Sequence, residues 1–311
     1  MPRILPLLLL LLLVTAPLHA GVLKIGTLHI EDAVPLFLAE REGFFGKTNS
    51  RVALIPFQSA LERDSALTAG AIDGAITDPV GALLLDQGRG LLRITALCLG
   101  ATPAEGPFAI LAAPKSSLRT VDDLKMVEVA VSRATIIDYV TDRLLAERGF
   151  SPAERRTIDI KKMPIRLQML LGSQVQAATL PEPLAAIAMG RGARLLLSDA
   201  DSDVSLSQTV FVFRRPVLAE RKGEVAAFFT ALGRAVRMIN HEPERFRPLF
   251  VDKGRIPADL AATYPIPAYP EPAPFPRELY TPVSDWLAER RLTPPLAYEQ
   301  LVDQDFLGRD E

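Results

Sequence analysis

Two stretches decide the fold: GAIDGAITDPVGAL, residues 70–83, and SQVQAATLPEPLAAI, residues 173–187, which lie about 103 residues apart. Each reads as a short apolar strand (72–76 and 175–179) followed at once by a proline where a helix opens. Proline suits a first helical turn, where its missing N–H costs nothing. The match extends upstream. Helical spacing over 61–69 closes at Gly70, and helical spacing over 165–171 closes at Gly172. Further back, an earlier helix ends in LAEREGF at 38–44 and in LAERGF at 145–150. Amphipathic spacing alone can write LAER twice. It does not also align two later strands and two proline-marked helix starts.

Working outward, the first copy reads strand 22–26, helix 33–41, strand 52–56, helix 61–69, strand 72–76 and a helix through Leu85. The second reads strand 127–131, helix to Arg148, strand 157–160, helix 165–171, strand 175–179 and a helix through Met189. Alternation of this kind predicts α/β architecture with parallel-type sheets, one per copy. Two further apolar strands, 106–113 and 207–213, leave the first and second units and are expected to cross between them. The rest reads as helix at 216–240, 244–251 and 284–291. A proline-rich run at 264–282 separates the last two and is expected to lie extended over a surface. If the second unit is complete by then, this tail folds back on the first. The expected organisation is therefore 21–112 with 214–311 as a discontinuous first lobe, and 113–213 as the second.

Residues 1–20 read separately. Arg3 gives a basic start, 4–14 is an almost unbroken leucine-rich run, and Ala20 offers a small residue at a cut. That run is short for a membrane span, which needs about 20 residues. It matches a secretory signal peptide cleaved near Ala20, which implies a soluble protein outside the cytoplasm. The remaining chain of about 291 residues suits two domains. With 35 basic against 37 acidic residues, the composition argues against a nucleic-acid partner. The single cysteine, Cys98, allows no internal disulfide and sits in an apolar run, where it reads as a small core residue. Three histidines, one of them in the leader, and one cysteine are too few and too scattered for a metal site, and no cofactor is indicated. The expected protein is a monomer.

Ligands of open α/β sheets gather beyond the C-terminal strand ends, where helix N-termini converge. Two such sheets joined by two strands make a cleft that closes on a solute, and this needs no catalytic residue. The wording GFFG at 43–46, GAIDGAITD, VSRATIIDYVTDRLL and LPEPLA resembles the solute-binding proteins of ABC importers. The similarity is to the NMT1/THI5-like group, which includes nitrate-, sulfonate- and thiamine-precursor-binding proteins. It implies a type II periplasmic-binding (Venus-flytrap) fold, a periplasmic location, and delivery of a small-molecule solute to a permease and ATPase. A sensor subunit would share the capture chemistry. Pyrimidine-synthase-like and menaquinone-pathway-like enzymes share the fold, but this chain lacks the clustered Cys and His set that the former bring.

Position nominates the ligand-binding candidates. His29, Glu31 and Asp32 occupy the first strand-to-helix turn; Gln58 and Ser59 open the second helix; Thr77 and Asp78 precede Pro79. Asp78 is also expected to cap that helix. In the second copy the matching turns carry Arg133 and Thr135, then Glu182 between two prolines. Arg133 could clamp a carboxylate, sulfonate or phosphate, or pair with Asp138. Tyr139 could stack on a ring or simply pack, and Phe108 and Gln208 sit at the two crossings. Four acids against one arginine and one histidine disfavour an inorganic anion. They favour a polar or amine-bearing organic molecule such as a pyrimidine-like heterocycle.

Overall fold

The computed structural model describes residues 21–48, 51–303 and 307, so the leader expected at 1–20 lies outside the described residues. The first unit begins with β1 (Leu23–Leu28), α1 (Val34–Arg41), β2 (Val52–Phe57), α2 (Ala60–Thr68), β3 (Gly74–Thr77), α3 (Pro79–Asp86) and β4 (Leu92–Leu99). The second contains β5 (Phe108–Ala112), β6 (Glu128–Val131), α4 (Ile136–Glu147), β7 (Arg156–Asp159), α5 (Met163–Leu171), β8 (Ala177–Pro181), α6 (Leu184–Gly190) and β9 (Arg194–Ser198). Then come β10 (Thr209–Arg214), α7 (Arg215–Glu220), α8 (Lys222–His241), α9 (Pro243–Lys253), α10 (Arg277–Glu289) and α11 (Tyr298–Leu301).

The strands form two five-stranded sheets, ordered β2-β1-β3-β10-β4 and β7-β6-β8-β5-β9. β1 pairs in parallel with β2 and β3, and β6 pairs in parallel with β7 and β8, as the repeat predicts. β10 and β5 run antiparallel to both their neighbours, so each sheet is mixed rather than wholly parallel. This corrects the expected crossings. The apolar strands read as bridges between lobes are each the fourth strand of the lobe they enter. The chain crosses at 100–107 and again at 199–208, ahead of the expected boundaries at 112/113 and 213/214. An apolar run is what a strand buried on both faces requires, and β5 is buried along its whole length. At Gly100, φ is +89°, and a Cβ there would lie 2.9 Å from the Gln208 Cα, so the two crossings touch backbone to backbone.

The C-terminal run packs on the first lobe. Phe228 and Phe229 of α8 meet Phe211 and Phe213 of β10 at ring separations of 5.6–6.0 Å. Cys98 is buried in the same cluster, as expected of a small core residue. Two expectations for this run need correcting. The helix expected at 216–240 is broken at Arg221, which leaves the helical register to reach Asp73 and Glu224. The proline-rich run is extended only as far as Pro276, after which α10 carries Pro282 in its interior. Nor does that run lie loosely on a surface, because Tyr264, Tyr269 and Phe275 are buried.

α10 also reaches the second lobe. The Trp286 indole N–H donates to Asp142 of α4 (2.9 Å), and the Trp286 ring meets Tyr139 edge-on at 5.4 Å. Arg290 and Arg155 pair with the same Asp142 carboxylate at 2.5 and 2.8 Å. The lobes are thus joined by two crossings and by the Trp286–Asp142 contact.

Candidate functional site: the cleft between the sheets

Helix starts from both lobes converge where β1, β2, β3 and β6 end. Asp78 caps α3, its Oδ1 accepting the Gly81 amide at 2.8 Å, and it shares the cavity wall with Ile136, the first residue of α4 in the other lobe. Thr135 caps α4 by accepting the Ile137 amide at 3.2 Å. Ser59 caps α2 by accepting the Glu62 amide at 3.3 Å. Its hydroxyl serves the helix and does not line the cleft cavity. Ser59→Ala is therefore expected to lower unfolding stability by about 1 kcal/mol and to leave solute affinity unchanged, checked by urea unfolding and calorimetric titration.

Between the lobes lies a cavity of ≈ 40 Å³. Asp32, Arg63, Thr77 and Asp78 line it from the first lobe; Phe108, Ser132, Thr135 and Lys161 line it from the second. Arg63 is only 2 % exposed. Its Nε and a terminal nitrogen bond Asp64 at 2.8 and 2.7 Å, and the same terminal nitrogen donates to the Thr77 hydroxyl at 2.5 Å. Gly26 gives its stem room: a Cβ there would stand 3.2 Å from the Arg63 Cγ and 2.6 Å from the Ile72 Cδ1. Asp32 is 4 % exposed, and its Oδ1 has no hydrogen-bond partner. Burial pushes the Asp32 carboxyl up to about 7 and that of Asp78 up to about 6, against the opposing pull of Arg63.

Glu31 and Glu182 do something else. The Tyr264 hydroxyl donates to Glu31 Oε2 at 2.5 Å, while Glu182 of the second lobe accepts the Ala186 amide at 3.2 Å. Tyr269 donates to the Glu31 carbonyl at 2.7 Å. Burial raises Glu31 to about 8 and Glu182 to about 7, with each adjacent acid adding to the rise at Glu31. The proline-rich run thus straps over Glu31, and neither carboxylate lines the inner cavity.

The NMT1-like family model matches residues 19–249. The chain belongs to the NMT1-like family. No curated protein matches its sequence. Its fold is that of the periplasmic binding proteins. It is similar to the ligand-binding component of an ABC-type import system from Staphylococcus aureus with zinc bound, at 17% identity over 94% of this chain and 99% of that one, with a TM-score of 0.79. The alkanesulfonate-binding protein of Xanthomonas axonopodis pv. citri, bound to MOPS, matches at 20% identity over 90% and 97% of the two chains, TM-score 0.75. The periplasmic nitrate-binding protein of Synechocystis matches at 16% identity over 83% and 74%, TM-score 0.62.

In this NMT1-like chain the nominated residues divide into groups. Asp32, Thr77, Asp78, Phe108 and Thr135 line the inner cavity. His29 and Gln58 line a second, outer cavity beside it. Arg133 turns away: its amide donates to Asp159, and its guanidinium donates to the Thr157 carbonyl at 2.5 Å along β7. Tyr139 is committed to Trp286, and Gln208 donates to the Ser205 carbonyl within the second crossing. Glu31 accepts from Tyr264 and Glu182 from the Ala186 amide, and neither lines the inner cavity. Sequence reasoning missed Arg63, Lys161 and Met163. For Arg63 a signal existed: it stands four residues before Leu67 on the apolar face of α2, where a charge must find a buried partner. Arg166 of α5 repeats it about 103 residues later, fully buried, donating to the Thr179 and Ile160 carbonyls at 3.0 and 2.7 Å. Arg166 thereby braces the turn that carries Lys161 and Met163.

Proposed function

We propose that this NMT1-like protein is an extracytoplasmic solute receptor. It captures a small organic molecule bearing N–H donors, such as a primary amine, an amidine or an aminated heterocycle, and passes it to an ABC importer. The observation that carries the reading is the Asp32 carboxylate, buried in an interlobe cavity with Oδ1 unpartnered. A buried acceptor left alone costs about 1–3 kcal/mol, and a donor on the guest removes that cost. Of the two cations on the cavity wall, Arg63 is occupied by Asp64 and Thr77, and Lys161 sits 3.8 Å from Asp159. The adjacent carboxylates of Asp32 and Asp78 would repel such a guest. Delivery to a permease and ATPase, and a periplasmic location, are supported by the fold shared with the import-system components named above.

The site chemistry gives an enzyme little to work with. Cys98 is buried and its thiol is pushed well above the usual range by burial and by Asp32, opposite to what a nucleophile needs. The reading is tested by thermal shift and calorimetry with benzamidine, benzylamine and aminopyrimidines against nitrate and methanesulfonate. An amine or amidine present at 100 times its Kd is expected to add about 2.7 kcal/mol of stability. Asp32→Asn is expected to weaken it tenfold to a hundredfold, as for loss of a charge-assisted bond. Stabilisation by nitrate or methanesulfonate alone would sink the reading.

A further inference from the structure

Beside the inner cavity lies an outer one of ≈ 280 Å³, and Met163 lines both. The two alternate along the same segments. Leu28 and Ile30 face the inner space and His29 the outer; Ala60 faces the inner and Phe57 and Gln58 the outer. The outer wall is mostly carbon, built from Phe57 in the first lobe and Leu167, Leu184 and Ile187 in the second. Arg255 and His29 also line it, the guanidinium 3.3 Å from the His29 Nε2. The inner space is small, since one water takes about 10–15 Å³ on this measure. It therefore holds a head group and little else.

We infer that the outer cavity is a second subsite of the same cleft, which takes the alkyl or aryl body of a solute whose amine head lies at Asp32. This rests on the amine-head reading above. Met163 is the gate between the two: it is buried, and its unbranched thioether can turn aside to let a chain pass without breaking the walls. The assignment narrows the guest from any small amine to an amphiphilic one. Affinity should therefore depend on carbon that never reaches the carboxylate.

The test is calorimetric titration of the full chain with n-alkylamines from ethylamine to hexylamine. Affinity is expected to rise about fourfold per methylene, the increment for burying one CH₂, until the chain fills the outer cavity. Leu167→Trp, which fills the outer cavity, is expected to flatten that series to less than twofold per methylene. If ethylamine and hexylamine bind the wild type equally, the subsite is overturned while the amine-head reading stands. If no amine binds at all, the head reading fails and the subsite with it. A series that stays steep in Leu167→Trp also overturns the proposal, because the carbon would then be buried elsewhere.

Discussion

Raising the pH from 5 to 9 is expected to destabilise the ligand-free protein. Besides Asp78, four carboxyls sit in places that strongly favour their protonated forms. Burial sets Glu31 at about 8 and Asp32, Glu182 and Asp199 each at about 7. In the unfolded chain such groups titrate near 4. Between those limits the folded state therefore holds protons that the unfolded state has lost, and stability falls as pH rises. The contribution is fully present below about pH 4 and is gone above about pH 8. A three-unit rise is worth at most about 4 kcal/mol per group, and charge coupling of Glu31 to Glu182 and Asp32 makes the groups less than additive. A loss of at least about 3 kcal/mol across the range is expected by urea unfolding.

The same linkage acts on the lobes, since parting them returns water to Asp32 and Asp78. Small-angle scattering is expected to report a more extended ligand-free particle at pH 9 than at pH 5. Glu31→Gln keeps an acceptor for Tyr264 but removes one titrating group, and it should make the pH dependence shallower. Stability that is flat or rising between pH 5 and 8 would show that these carboxyls stay hydrated and that the lobes do not close tightly without solute.

How much of this could be read from the sequence depends on how local each cause is. Asp78 was legible because strand, acid, proline and helix follow one another within a few residues, and its capping bond spans only three. The paired lobes were legible because the same punctuation recurs at a fixed interval. The two crossings were legible as apolar strands but not in their membership. A run such as Phe108–Ala112 does not say which sheet it completes, and that is settled by pairing with β8 and β9, far along the chain. Arg133 was misplaced because its turn is held by Asp159 and Thr157 of the neighbouring strand. The Tyr264 strap lay out of reach, because its partner Glu31 is 233 residues away. Arg63 is the intermediate case. Gly26 inside a strand and a charge on an apolar helix face were both visible, and each alone is a weak sign of a close approach.

Arg63→Met decides what the cleft is for. Removing a guanidinium that is 3 % exposed at its side chain leaves Asp64 without its buried partner, and leaves Asp32 and Asp78 without the nearby cation that holds their pKa values down. Breaking a buried pair from one side typically costs about 3–5 kcal/mol, and that is the loss expected at pH 8. At pH 5 the loss should be smaller, since Asp32 and Asp78 can then take up protons in place of the missing charge. The binding readout separates two chemistries. If the guest is an amine, Arg63 is a competing internal cation. The variant should then bind benzylamine at least as tightly as the wild type at pH 8, with the guest restoring part of the lost stability. If the guest is a sulfonate or nitrate, Arg63 is its counter-ion, and affinity should fall by a hundredfold or more, as when one half of a buried ion pair is removed. The two outcomes have opposite signs in one titration, so the role of Arg63 fixes the charge of the solute.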